Sequence, residues 1–441
     1  VLGNSLVTQG DRHVMKNATH SMIDFLQKSP TPYHCVEETA QRLRASGFTE
    51  IDEKAEPQTL RAGEGHFARR GGLIVAWRNG THAPAAAGFR LIGAHTDSPN
   101  FRIKPRPDVR GEGYLQWGVE VYGGVIYASW MDRDLGLSGR VFVRGPEGQP
   151  ILRLLRVDKP IARIPNLAIH LNRKVNEEGL KLDVQKHLVP VLGLVSSDAT
   201  SFAKYVGGLL DGEVLSWDLC LHDLQPPTLG GLNEEFVFSA RLDNQASCFM
   251  GLCALLEAAP SPATQVVVLF DHEEIGSRSH TGAMGATLRD LLTRIEREHE
   301  EKGKGGVERA LANSFFVSAD MAHGVHPNHA GLHEPLHKPL LNGGPVIKEH
   351  VEQRYATDAE TMALFRLACQ AEQVPYQDFV IRTDLACGST IGPISAGLLG
   401  VRTVDVGCAM LSMHSIREQC GAKDPELMIR VLTRILNAGA R

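Results

Sequence analysis

The run Val266-Val267-Val268-Leu269-Phe270 leads without a break into Asp271-His272-Glu273-Glu274-Ile275-Gly276. A stretch of β-branched and large apolar residues reads as a strand buried on both faces, the kind found inside parallel sheets. Acid residues delivered at the carboxyl end of such a strand lie where open α/β sheets place their active sites. Neighbours on an extended chain point to opposite sides, so Glu273 and Glu274 are expected to face different things. Two adjacent carboxylates beside an apolar strand are costly until cations or protons neutralise them. The chain must supply that neutraliser.

At 441 residues the chain exceeds one ordinary compact core, so two domains or a large insertion are expected. A net charge of -5 argues against a nucleic-acid binder, which would show a basic face. The 8 cysteines form no Cys-x-x-Cys pair, and Cys248 and Cys253 sit in apolar surroundings. That usage suits reduced core thiols in a cytoplasmic protein. No apolar run approaches the ~18 residues of a transmembrane helix. Residues 1–14 lack the apolar core of a signal peptide and read as a tag or disordered lead before Met15.

Further strands are expected at 73–77 and 90–94, the latter running into His95-Thr96-Asp97. Helices are expected over 19–28 and 35–45. From Phe101 to about Asn233 the sequence turns to short alternating runs rich in glycine and aromatics, which suggests an antiparallel β unit. Examples are 117–130, 140–144, 152–157 and 167–171. The α/β pattern resumes with a helix from Asp243, the strand at Val266, a helix over 284–300 and a strand over 314–318 ending at Ala319-Asp320. A helix over 359–372, a strand over 401–406 and a helix over 425–437 complete it. The simplest assembly is one α/β domain (15–100 and 234–441) interrupted by a β-rich insertion (101–233).

Metal-type ligands sit at loops and strand ends: His95, Asp97, Asp243, Glu273, Glu274, Asp320 and His414. Imidazole nitrogens mixed with carboxylate oxygens suit zinc, and also manganese or cobalt, better than calcium or magnesium. Singly, each has a plain structural alternative: His95 as a buried histidine, Asp243 as a helix cap, Asp320 as a turn residue. Their recurrence just past buried strands favours one shared site, because those ends gather at one sheet edge. Rival motifs fail. His272-Glu273-Glu274-Ile275-Gly276 lacks the second histidine of His-Glu-x-x-His. Gly388-Ser389-Thr390-Ile391-Gly392 is no nucleophile elbow, and Lys302 to Gly306 lacks phosphate-loop spacing.

The segments GAHTDSPNFRIKP (93–105), RLDNQAS (241–247), LFDHEEIGS (269–277) and SADMAHGVHPN (318–328) closely resemble the aspartyl aminopeptidase family. So do GGPVIK (343–348), QRYAT (353–357), GSTIGPI (388–394), MHSIRE (413–418) and, in the insertion, RIPNLAIHL (163–171). The blocks are co-linear from about residue 20 to 437. The resemblance implies a di-zinc exopeptidase of the phosphorylase/hydrolase-like α/β fold, a mixed sheet flanked by helices with an inserted β-rich dimerisation domain.

By that resemblance His95, Asp243 and Asp320 hold one zinc, and Asp243, Glu274 and His414 the other, with Asp243 bridging. Asp97 accepts the ring N–H of His95, and Glu273 is the general base and acid. His170, His323, Lys348 and Tyr355 fall at substrate-contacting positions, with His170 reaching a neighbouring subunit. Structural alternatives remain for these four, such as an ordinary surface lysine at 348. Lys348 is the candidate to meet an acidic first residue of a peptide substrate. A homododecamer is implied, with no nucleic-acid or membrane partner. Three other readings are a neutral or broad aminopeptidase, a non-catalytic metal-stabilised scaffold, and a metal-dependent phosphoesterase that the resemblance argues against.

Overall fold

The computed structural model describes residues 9–196 and 200–438, with 9–17 described by backbone alone. Two compact units emerge: one holds the chain up to Asp97, 227–413 and 418 onward, the other 98–226 and 414–417. Of the expected lead, residues 1–8 lie outside the described residues, while 9–14 belong to the helix Gln9–Lys28.

The first unit is built on a nine-stranded sheet. Its order is Thr49–Glu50, Gly65–Arg70, Leu73–Arg78, Thr264–Phe270, Phe89–His95, Phe315–Ala319, Arg402–Gly407, Val346–Glu349 and Gln377–Val380. The four central strands, from Thr264–Phe270 to Arg402–Gly407, run parallel to one another. The strands on either side of them turn antiparallel at Leu73–Arg78 and at Val346–Glu349, so the sheet is mixed.

The pleat explains the unbroken apolar run at 266–270. Val267 and Leu269 enter one core with Phe25, Phe249 and Leu432, while Val266, Val268 and Phe270 enter the opposite core with Leu288 and Leu292. All seven residues of Thr264–Phe270 are buried. Helices Leu242–Glu257 and Asp424–Leu436 supply the first core, and Thr287–Glu298 the second. A smaller five-stranded sheet runs Thr228–Gly230, Phe236–Ser239, Glu418–Gly421, Ala409–Leu411 and Ala322–His323.

The second unit carries a six-stranded sheet, antiparallel throughout, with strands at 150–162, 135–144, 214–223, 100–111, 114–122 and 191–194 in spatial order. Its core includes Phe101, Trp117, Trp130 and Phe202, with Trp117 and Phe202 edge to face at 4.9 Å.

Some local expectations need correcting. Residues 167–171 are not a strand. Ile169–Leu171 is a single 3-10 turn, and Leu167, Ile169 and Leu171 stand 60%, 47% and 75% exposed. A two-residue alternation specifies a strand only where one face is covered. The stretch 117–130 is strand only to Tyr122 and ends in the helical turn Tyr127–Trp130. Among the helices not foreseen are Phe202–Leu210, Gly306–Ala312 and Ile391–Leu399. In the first, Phe202 and Val206 are buried one turn apart, and that packing overrides the low helix propensity of Gly207 and Gly208.

Candidate functional site

The carboxyl ends of three neighbouring parallel strands carry His95, Asp271 onward and Asp320, with Phe270 in register with His95. Asp243 joins them from the start of the helix Leu242–Glu257, where Arg241 takes a left-handed conformation (φ 61°) and the Asp243–Asn244 peptide is cis. Two buried amides lock this start onto the strand ends. Asn244 Nδ2 donates to the Ala319 carbonyl at 2.9 Å, and Gln245 Nε2 to the Thr96 carbonyl at 3.2 Å.

His95 is the hub. Its Nε2 lies 3.5 Å from Asp243 Oδ1, 3.6 Å from Asp320 Oδ1 and 3.8 Å from Glu273 Oε2. The ring is buried, as are Asp97, Asp243 and Asp320. Its Nδ1 sits 3.0 Å from the Asp97 carbonyl oxygen and 3.4 Å from Asp97 Oδ1. The expected partner for the ring N–H was the Asp97 carboxylate, but the nearer acceptor is the main-chain oxygen. The carboxylate, still within reach of the ring, also accepts the backbone N–H of Glu273 through Oδ1 and that of Glu274 through Oδ2, each at 3.1 Å.

Glu273 and Glu274 do not lie on an extended chain. The strand ends at Phe270, His272 turns left-handed (φ 63°), and Glu273–Ile275 forms a 3-10 turn closed by Gly276 (φ 92°). Three residues per turn separate the two side chains by about 120° rather than sending them to opposite faces. Both reach the same cluster: one ligand atom each from His95, Asp243 and Glu274 lie within 4.8 Å of one another.

Charge is heavily unbalanced here. Burial pushes the Glu273 carboxyl up to about 8; the His95 charge opposes the rise, while Asp320, Asp97 and Asp243 add to it. Burial and the Asp243 charge likewise raise Glu274 well above its ordinary value. Burial works against a charged His95, yet the Glu273 carboxylate and hydrogen bonds to Asp243, Asp320 and Asp97 carry it well above its usual range. The cluster thus draws positive charge onto the His95 imidazole, where a cation would meet these oxygens. One buried nitrogen and several carboxylate oxygens fit a zinc ion.

Next to the cluster, Lys348 is buried, with Nζ donating to the carbonyls of Asp320 (2.8 Å) and Met321 (3.3 Å) and 3.8 Å from Asp320 Oδ2. That ammonium lies over the Tyr355 ring, 5.1 Å from its centroid. Phe379, which the sequence did not single out, touches both Tyr355 (6.5 Å between ring centroids) and His323 (5.8 Å). Glu418 was also missed: its buried Oε2 accepts the Asp243 N–H at 3.1 Å. Its one signal was its place at the end of MHSIRE (413–418). The remaining two candidates belong to the second unit. His170 is exposed on its 3-10 turn, and His414 has Nδ1 3.0 Å from the Gly124 carbonyl oxygen.

Comparison with known proteins agrees with this chemistry. Residues 25–435 match the family model described as aminopeptidase I zinc metalloprotease (M18). A probable M18 family aminopeptidase 2 of Streptomyces coelicolor is 46% identical over 429 residues, spanning 95% of this chain and 97% of its own. The structure of mApe1 from Chaetomium thermophilum is 32% identical with a TM-score of 0.85, covering 96% of this chain and 98% of that one. The mApe1 dodecamer of S. cerevisiae gives 29% identity and a TM-score of 0.84, covering 96% of this chain and 97% of that one. A histidine ringed by carboxylates at the strand ends, and a family match along nearly the whole chain, lead to one conclusion: the chain belongs to the M18 family of zinc metallo-aminopeptidases.

Proposed function

We propose that this aminopeptidase removes acidic first residues from peptides, using two zinc ions and Glu273 as general base and acid. The observation that carries the reading is His95 Nε2 facing Asp243, Asp320 and Glu273 within 3.8 Å in a buried site. His95, Asp243 and Asp320 would hold one ion, and Asp243 with Glu274 would contribute to the second. An ion held by these residues would supply a water of lowered pKa, about 7, and Lewis acidity toward the scissile carbonyl. Glu273 takes the proton of the attacking water and returns it to the leaving amine, a role suited to a carboxyl whose pKa burial has raised. Asp97 holds the turn that presents Glu273, through the two backbone N–H groups it accepts.

Lys348 supports the acidic preference. Its buried ammonium lies beside Asp320 and Tyr355, where an aspartyl or glutamyl side chain would find a countercharge. A neutral or broad preference is the second reading, favoured by the bonds that Lys348 already makes to two carbonyls. For self-association, Leu167, Ile169, Leu171 and Leu194 of the second unit are between 47% and 75% exposed, apolar surface that a neighbouring copy could cover. We take this, with the dodecamer of the S. cerevisiae relative, as support for a homododecamer. All 8 cysteines are free, which suits a reducing cytoplasm. No helix among the described residues is long and apolar enough to cross a membrane.

Rates on Asp-, Glu- and Leu-naphthylamide, with zinc counted per chain, test the reading. It expects kcat/KM at least about tenfold higher for the acidic substrates, roughly 1.4 kcal/mol of discrimination. Equal values would hand the function to the neutral reading, and activity that survives complete zinc removal would end both.

A further inference from the structure

Asp405, in the strand Arg402–Gly407, is fully buried and takes no part in the metal cluster. Its neighbours Val404 and Val406 point into one core, so its carboxylate points to the other side of the sheet. There Oδ1 accepts from Ser318 Oγ and Thr390 Oγ1, both at 2.6 Å, and Oδ2 accepts from the Ala356 N–H at 2.6 Å. Its own N–H donates to Thr357 Oγ1 at 2.9 Å. A Cβ on Gly392 would come within 2.1 Å of Oδ2, so the glycine leaves the room that the carboxylate fills.

These bonds converge on the substrate side of the site. Ala356 and Thr357 directly follow Tyr355, and Ser318 stands two residues before Asp320 on the adjoining strand. The register adds Lys348. Ser318 pairs with Asp405, and on the other side Val346 pairs with Gly407 and Ile347 with Val406. Continuing that antiparallel pairing by one residue places Lys348 opposite Asp405, where Cβ atoms are about 5 Å apart. Ser318, Asp405 and Lys348 form one row across three strands. Lys348 is 2% exposed, and a buried ammonium needs countercharge. Asp320 Oδ2 lies 3.8 Å away, and Asp405 is the carboxylate on the row itself, a second countercharge beyond direct ion-pair contact. Burial pushes the Asp405 carboxyl up, and the Lys348 charge pulls it back down.

We infer that Asp405 is a positioning residue for substrate selection: it clamps the Tyr355 segment through the Ala356 N–H and, from the neighbouring strand, supplies countercharge to the Lys348 ammonium without bonding it. The inference rests on the reading that Lys348 meets an acidic first residue. A carboxylate at 405 would set first-residue preference from a fully buried position.

Asp405→Asn, Lys348→Met and the double variant, all zinc-loaded, test it on Asp- and Leu-naphthylamide. For Asp405→Asn, KM for the Asp substrate should rise about tenfold with kcat within about threefold, and the Leu substrate should change by less than about twofold. In the Lys348→Met background the same change should leave the Asp/Leu ratio where Lys348→Met put it, the non-additivity expected when one residue acts through the other. An Asp405→Asn ratio equal to that of the parent, or an equal shift in both backgrounds, overturns the inference and leaves Asp405 a structural residue. A Lys348→Met ratio equal to that of the parent instead overturns the acidic-preference reading, and the inference with it. Should Asp405→Asn fail to fold, Ser318→Ala with Thr390→Val loosens the carboxylate by two donors. That pair must move the ratio in the same direction for the inference to stand.

Discussion

Asp97 Oδ2 accepts the backbone N–H of Glu274 at 3.1 Å, while the other oxygen does the same for the adjacent residue, Glu273. One buried carboxylate therefore sets the turn on which both acids are mounted. An amide cannot accept on both sides, so Asp97→Asn must point an N–H at an N–H. A ligand-supporting group of this kind typically governs 10–100-fold in metal affinity, or about 1.4–2.7 kcal/mol. Asp97→Asn is expected to weaken zinc binding within that range while saturating zinc restores most of kcat. Competition against a chromophoric chelator measures it, and an unaltered zinc affinity would remove Asp97 from this role.

Glu273 should separate from Glu274 when each is changed to glutamine. Glu273→Gln keeps the shape of the turn and removes the proton carrier, so kcat should fall about 10²–10⁴-fold with zinc content unchanged. Glu274→Gln removes one atom of the three-residue ligand group and should lower zinc content as well as rate. Metal analysis on both purified variants decides. Loss of zinc from Glu273→Gln would transfer that residue to the ligand set.

The strand ends are legible because their sequences carry two signals at once, an apolar run and an abrupt change to acids or histidine. The runs at 266–270 and 90–94 mark two strand ends carrying His95 and the paired glutamates, and it is the parallel pairing of those strands that sets them at one sheet edge. What the sequence hides is geometry set by turns and distant partners. Nothing in Asp-His-Glu-Glu announces that His272 will turn left-handed and wrap Glu273 and Glu274 onto a 3-10 turn. Nor does His-Thr-Asp show that the imidazole will choose the Asp97 carbonyl while the carboxylate reaches across to residues 273 and 274. The bonds of Lys348 to Asp320 and Met321 depend on strand register over 27 residues or more, which no local pattern encodes.

Removing zinc should make stability fall as pH rises. The folded-state pKa of Glu273 is raised from 4.5 to about 8, and Glu274 and His95 are raised as well. For each group the folded, metal-free chain binds more protons than the unfolded chain. The stabilisation is complete below the unfolded pKa and is lost as pH climbs through the folded one, here between about 4.5 and 8. Zinc requires the deprotonated ligands and releases those protons, so its own contribution grows with pH. The difference in Tm between zinc-loaded and chelator-stripped protein is expected to widen steadily from pH 5 to pH 8. A constant difference would show that these groups do not exchange protons for metal.

The helix Ala359–Ala371 begins with a reciprocal cap. Asp358 Oδ1 accepts the Thr361 N–H at 2.8 Å, and Thr361 Oγ1 accepts the Asp358 N–H at 3.0 Å. Thr361 of the cap sits one turn ahead of Phe365, which is wholly buried in the core, so fraying here would loosen a packed side chain as well as a helix end. Asp358→Ala should cost about 0.5–2 kcal/mol, the range for loss of an N-cap carboxylate. Because each residue satisfies the other, Asp358→Ala with Thr361→Val should cost less than the sum of the single changes. Urea unfolding of the zinc-loaded protein, read at constant m, measures all three variants. Fully additive losses would mean that the two bonds act independently and that the box is not a cooperative unit.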